Sequence, residues 1–301
     1  MATLIKSNKA VNDTNNIFPY VSDFGDTTQS LGRYSYEREL AGSPITQTEH
    51  NALKTLEDSL TTLGVIDKVI EFIPLMGQNL NSMMLKYKYK DNDRMVGINS
   101  LSSTQLDLGL GLNFSAVPSG AMPAVNMKLK QKYLLPKGHT SFIYYNSPVN
   151  ASVTTDRTIF GVGDADADEA NTVQVLLDTS RRVNSKFLGS NNFADDKFYF
   201  GKFLIASKVG LNTSGQVATR ELYDNGTLAD STAGAATVTG STAQEKEIFL
   251  GAKNGATASG TKFFYGQIRL VLIFDGTVDA LIIPQVNTAL QTFISQTGKT
   301  L

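Results

Sequence analysis

Four carboxylates crowd the run Gly163-Asp164-Ala165-Asp166-Ala167-Asp168-Glu169. Alternating acids supply hard oxygen ligands, and Ca²⁺ collects roughly six to eight such oxygens. An EF-hand loop would need Gly where Glu169 stands and an acid where Val175 stands, so that motif is excluded. Asp164, Asp166, Asp168 and Glu169 are therefore the candidate Ca²⁺ ligands, set against the alternative of a solvated acidic loop. Asp195-Asp196 offers a second, smaller acidic pair.

A different chemistry is available to Tyr144, Tyr145 and Asn146, and to Asn192 within Asn191-Asn192-Phe193. An aromatic face beside amide hydrogen-bonding groups is what a sugar ring needs, and Tyr199 belongs to the same set. The competing reading places the tyrosines in the hydrophobic core.

Catalytic constellations are absent. His50 falls on a helical stretch and His139 beside a turn, with no evident Ser or Cys partner for a triad. Gly109-Leu110-Gly111 lacks the remaining spacing of a dinucleotide or phosphate loop. The expectation is a protein that is not an enzyme, although paired carboxylates across a glycosidic bond are invisible in sequence. With a formal net charge of -1 and 18% charged residues, no basic surface for nucleic acid or anionic lipid is expected. The chain has no cysteine, which rules out disulfides and thiolate sites. Met1 to Lys6 leads into polar residues with no apolar signal region, and no run is long enough to insert in a membrane. Synthesis in a cytoplasm is expected.

These residues must be positioned by something. Residues 1–42 show no periodicity yet carry spaced large groups, among them Phe18, Tyr20 and Phe24. Disordered tails are usually poor in aromatics, so an extended attachment arm is expected, docked on a neighbouring subunit or folded back on its own domain. Residues 43–84 read as a helical collar. Thr46-x-x-Glu49 is a capping box, Leu53, Leu56, Leu60 and Leu63 recur at 3-4-3 spacing, and Gly64 is a stop. That leucine stripe fits either a short oligomeric seam or packing on the chain's own domain. The apolar segment from Val65 to Met84 reads as core.

From residue 85 to 301 the period becomes two. Leu85-Lys86-Tyr87-Lys88-Tyr89-Lys90 and Val125-Asn126-Met127-Lys128-Leu129-Lys130 alternate as strands with one wet face. Further strands are expected at 140–145, 157–162, 173–178, 198–208, 217–223, 247–251 and 262–274. Residues 230–243, low in complexity, read as a surface loop, and Pro284 opens a closing helix that Gly298 ends. Many short strands with little helix between them make a mainly β protein, a sandwich.

Three ordered pieces resemble the laminin-G-like, concanavalin-like family. Leu222-Tyr223-Asp224-Asn225-Gly226 is similar to its strand ending in a tight Asn-Gly hairpin. Glu247-Ile248-Phe249-Leu250-Gly251 resembles the strand that follows, and Phe264-Tyr265-Gly266-Gln267-Ile268-Arg269-Leu270-Val271-Leu272-Ile273 the final one. The acidic signature that often comes next is replaced by Asp279-Ala280-Leu281-Ile282-Ile283-Pro284. The resemblance implies a jelly-roll sandwich, with rim-loop calcium and sugar contact as family habits. It also implies that a glycanase of this fold would carry alternating acids on one strand, a run this sequence lacks. The closing helix, ending Phe293-Ile294-Ser295-Gln296-Thr297-Gly298-Lys299, resembles the tail of such domains in bacteriophage virion proteins.

The resulting expectation is a non-enzymatic virion protein of the head-fibre, tail-fibre or decoration type, localised in the particle. Capsid, portal or tail proteins would be its partners, as a homo-oligomer, a trimer being permitted, and a host-surface glycan would be a further contact. A Ca²⁺-dependent lectin-like module is the alternative, and a glycan-degrading enzyme a more distant third.

Overall fold

The structure is a computed structural model that describes residues 30–89, 95–98, 101–107, 111–114, 124–132, 138–147, 157–163, 173–180, 182–187, 193–194, 199, 201–236, 245–251 and 264–299. In chain order its helices are α1 (Ser30–Leu40), α2 (Gln47–Thr62), α3 (Leu80–Met83) and α4 (Ile283–Gln296). The early strands are β1 (Val69–Ile73), β2 (Lys88–Tyr89), β3 (Val96–Ile98), β4 (Leu106–Asp107), β5 (Gly111–Asn113) and β6 (Ala124–Lys132). Then come β7 (His139–Ser147), β8 (Arg157–Gly163), β9 (Val173–Leu177), β10 (Val183–Phe187) and β11 (Phe193–Ala194). The last are β12 (Gly201–Leu211), β13 (Val217–Asp224), β14 (Thr227–Ala236), β15 (Glu245–Leu250) and β16 (Gln267–Asp275).

Two antiparallel sheets face each other. One runs β14-β13-β12-β7-β16-β1-β2, with β5 also on β16 and β4 on β5; the other runs β11-β10-β9-β8-β15-β6-β3. Ile143 and Tyr145 of β7, Ile205 and Val209 of β12, and Val271 and Ile273 of β16 fill the space between the sheets. The alternate residues Phe142, Tyr144, Leu204, Leu270, Leu272 and Phe274 point the other way, into a second core against α1, α2 and α4. The first sheet is thus buried on both faces, which is why β16 (QIRLVLIFD) is apolar almost without interruption. The mainly β sandwich with a closing helix is as expected.

Local chemistry explains the helix ends. Thr46 Oγ1 accepts from the Glu49 amide at 3.1 Å and the Glu49 carboxylate accepts from the Thr46 amide at 2.7 Å, closing the capping box. Leu53, Leu56 and Leu60 are buried and Leu63 is half-buried, all packed within this chain's helix layer, where α2 lies against α4. The leucine stripe therefore faces the chain's own domain and is not available as an oligomeric seam. At the hairpin, Asn225 (φ 48) and Gly226 (φ 84) form the two-residue turn between β13 and β14, where Asp224 pairs with Thr227.

Several expectations need correction. The segment read as helical collar contains β1, a buried strand paired to β16. Its five residues are all buried, so no alternation betrays a strand. Residues 30–40 of the expected arm form α1, held by buried Leu31, Tyr34 and Arg38. Arg38 Nε donates to the Ser43 carbonyl at 2.7 Å, tying α1 to the turn before α2. Residues 230–236 of the expected loop belong to β14, and β3, β4, β5, β10 and β11 fall where no strand is expected. The stretch from Leu85 has no wet face before Lys88: Leu85, Lys86 and Tyr87 are all buried, and Lys86 pairs with buried Glu71 at 3.7 Å. Among the described residues no helix is long and apolar enough to cross a membrane.

Candidate functional site

On the helix-facing side of the first sheet, Thr140, Lys208 and Glu221 form one polar row across β7, β12 and β13, and a second polar row lies at the other end of β7. Register places Lys202 of β12 beside Asn146 of β7, Asn146 beside Gln267 of β16, and Gln267 beside Asn113 of β5. Partners in antiparallel register share a face, so these four residues form one line across four adjacent strands. At about 4.8 Å per strand the line is roughly 14 Å long. Lys202 is exposed, and Asn146, Gln267 and Asn113 are half-buried, so the helix layer stops short of the row.

A bulge gives the row its charge. Ile268 pairs with Tyr145 and Leu270 with Tyr144, leaving Arg269 as the extra residue of β16. Its guanidinium is buried and donates to Asp107 Oδ2 at 3.0 Å and Gln267 Oε1 at 3.1 Å. Asp107 Oδ2 also accepts from Gln267 Nε2 at 2.9 Å, and Gln267 Oε1 from Asn146 Nδ2 at 3.3 Å. Burial lowers the Arg269 pKa, and the Asp107 carboxylate opposes that shift. Behind it, Lys299 Nζ donates to the carbonyls of Leu75 at 2.8 Å and Arg269 at 3.2 Å. Burial holds its pKa well below the usual lysine range. Leu75 has φ 47, an uncommon backbone for a branched residue, and its carbonyl meets the lysine from that conformation.

The network fixes the amides in one orientation and leaves acceptors unspent. Among the described residues Asn146 Oδ1 and Asp107 Oδ1 accept no hydrogen bond, and the Asp107 side chain is 28% exposed. Two held acceptors beside an exposed ammonium make a surface that can receive hydroxyl donors and offer donors in return.

The expected sugar residues divide. Asn146 stands in the row, Tyr144 is 8% exposed against the helices, and Tyr145 lies fully buried between the sheets. Burial pushes the Tyr145 hydroxyl well above its ordinary pKa, and its ring packs edge-on to Phe264 at 5.8 Å. Neither tyrosine is a platform for a ring at the surface. Tyr199 is also buried, 5.0 Å from Phe203. Asn192, the acids Asp164, Asp166, Asp168 and Glu169, and the arm residues Phe18, Tyr20 and Phe24 lie outside the described residues. Among the described residues no group of three metal-ligating side chains comes together. Sequence reasoning missed Asp107, Asn113, Lys202, Gln267 and Arg269 as site residues. The one available signal was Arg269, a charge inside the longest apolar run of the chain.

No protein-family model matches the sequence, and no curated protein does. Solved structures do match in fold. Trypanosoma rangeli sialidase aligns over 81% of this chain and 39% of its own, with 10% identity and a TM-score of 0.54. The same enzyme in complex with 2,3-difluorosialic acid, a covalent intermediate, aligns over the same shares with 8% identity and a TM-score of 0.55. The Ruminococcus gnavus IT-sialidase CBM40 bound to alpha2,3 sialyllactose covers 50% of this chain at 13% identity, and its TM-score of 0.38 supports no conclusion. The chain spans about two fifths of the length of the trypanosomal sialidases it matches. At such identity the likeness is one of fold. The expectation that the chain is not an enzyme is overturned by this finding, because the structures sharing its fold belong to sialidases. Nothing in the comparisons points to virion proteins.

Proposed function

We propose that this protein contacts carbohydrate through the polar row Lys202–Asn146–Gln267–Asn113, with Asp107 and Arg269 as its fixed support. The observation that carries this reading is the row itself. It is a line of three amides and a lysine at one end of the sheet, with its hydrogen bonds arranged so that the acceptors of Asn146 and Asp107 stay available. A short oligosaccharide lying across the strands would meet one polar side chain per strand, and the carbohydrate neighbours in fold are consistent with such contact.

Binding of a panel of neutral and acidic oligosaccharides to the full chain tests it, with the same sugars followed for turnover. The double change Asn146→Ala with Gln267→Ala should weaken any binding at least roughly tenfold, about 1.4 kcal/mol, while leaving the unfolding transition two-state. Binding that the double variant leaves untouched would remove the row from the function.

The setting we infer is a bacteriophage particle, with the segment before α1 as its attachment. Support comes from the closing helix, which resembles the tail of virion domains, and from the aromatics Phe18, Tyr20 and Phe24. Deleting residues 1–29 spares α1 and its buried anchors, and should abolish particle incorporation. Unchanged incorporation would refute the setting without touching the glycan contact.

A further inference from the structure

Lysine is almost never fully buried unless it is paired, and Lys299 is wholly buried. The end of α4 puts it there. Gly298 (φ 67) closes a Schellman motif: its amide donates to the Ser295 carbonyl at 3.2 Å, and the Lys299 amide to the Ile294 carbonyl at 2.9 Å. Phe293 packs on Phe72 of β1 with ring centroids 5.6 Å apart, so the reversal carries Lys299 onto the sheet. It arrives at a break in the ladder. One edge of β16 is shared, Gln267 and Ile268 pairing with β5 and Val271 to Phe274 with β1. Among the described residues Arg269 and Leu270 pair with neither, and buried Leu75 lies two residues past the end of β1. Such a break leaves buried carbonyls without ladder donors. Lys299 Nζ donates across it, to Leu75 on one side at 2.8 Å and to Arg269 on the other at 3.2 Å.

We infer that Lys299 is a positioning residue for the polar row, its side-chain nitrogen replacing the missing ladder bonds between β5 and β1 and so fixing the bulge at Arg269. Arg269 answers it, Nη1 donating to the Lys299 carbonyl at 3.5 Å. With its backbone held, Arg269 sends Nη2 to Asp107 and Gln267, and Gln267 accepts in turn from Asn146. Lys299 thus acts on Asn146 through two intervening side chains and touches no ligand itself. This role rests on the carbohydrate reading for what the row binds, and on hydrogen bonds alone for how the row is held.

Exchange of side-chain protons with solvent, followed by NMR on the full chain, reads this arrangement without any sugar. In the unmodified chain the Lys299 Nζ protons should exchange at least roughly tenfold more slowly than those of exposed Lys54. Lys299→Met should speed exchange of the Gln267 Nε2 protons at least roughly tenfold. The Asn212 Nδ2 protons, which donate to Gln216 at 3.2 Å at the far end of β12, should keep their rate, whereas a general loss of stability would speed both. The chain has no cysteine, so Lys299→Cys can be alkylated at a single thiol with bromoethylamine while unfolded and then refolded. That returns an amine at nearly the reach of lysine, and slow Gln267 exchange should return with it. Equal rates for Lys299 and Lys54 in the unmodified chain would overturn the inference. So would Gln267 exchange that Lys299→Met leaves unchanged, acceleration at Gln267 and Asn212 alike, or no recovery with the aminoethyl group. A chain that shows the expected rates yet binds no oligosaccharide loses the carbohydrate reading and keeps Lys299 as the anchor of the row.

Discussion

Acidification to near pH 5 should weaken the fold by about 2 kcal/mol through one side chain, His139. The imidazole is wholly buried between the sheets at the start of β7, stacked on Phe160 with ring centroids 6.3 Å apart. Burial lowers its pKa from 6.5 to about 3. The unfolded chain therefore takes up a proton below pH 6.5 that the folded chain refuses until about pH 3. Stability is complete above the unfolded value and is lost as pH falls between the two, at about 1.4 kcal/mol per pH unit. From near pH 7 to near pH 5 the loss comes to about 1.9 kcal/mol. With a urea m-value of ~3 kcal/mol/M the midpoint should fall by roughly 0.6 M. His139→Phe keeps a ring against Phe160 and removes the titration. Carboxylates titrate alike in both proteins, so the difference between their midpoint shifts isolates the histidine. A variant whose midpoint falls as far as that of the parent chain would refute the burial argument, whatever its absolute stability.

Two further perturbations probe the fold. Glu71→Gln should cost about 3–5 kcal/mol in urea unfolding, because it leaves the Lys86 ammonium buried without its carboxylate; Glu71→Met combined with Lys86→Met should recover most of that loss. Gly226→Ala should cost about 1–2 kcal/mol, since Gly226 has φ 84 and a Cβ there would meet the Asn287 side chain at 3.0 Å. Asn225→Gly keeps the turn backbone but loses the carboxamide that accepts from the Leu204 amide at 3.4 Å and donates to Asp224 at 2.7 Å, and should cost about 0.5–1 kcal/mol; a Gly226→Ala variant as stable as the parent would contradict the turn assignment.

Features written into neighbouring residues were legible in the sequence. The Thr46/Glu49 box, the Asn225-Gly226 turn and the Pro284 start each depend on contacts within a few positions, and each appears where it was read. Features decided by what packs on a segment were not. β1 is buried on both faces, so VIEFI carries no period and merges with the helical residues around it. β14 is composed of the small polar and apolar residues that loops favour, and only its hydrogen bonds to β13 make it a strand. α1 hides its buried stripe, Leu31, Tyr34 and Arg38, because one of its three anchors is an arginine. The candidate site was half visible. Asn146 stood beside two tyrosines that read as a sugar platform, yet strand alternation sends Tyr145 to the opposite face. Gln267 reaches Asn146 across 121 positions of sequence and Asp107 across 160, through the register of β16 and the bulge at Arg269. No local pattern encodes such a meeting.

The place of β16 in the first sheet has a consequence for how the chain is made. This strand lies between β7 and β1, yet it is synthesised long after both. While translation proceeds, β1 and β7 leave the ribosome with the slot between them unfilled, each offering a bare apolar edge of the kind that invites wrong pairings. The sheet cannot close from one end to the other; its middle is the last piece to arrive. Such long-range pairing is slow, and the interval before β16 inserts is when the nascent chain has most need of a chaperone.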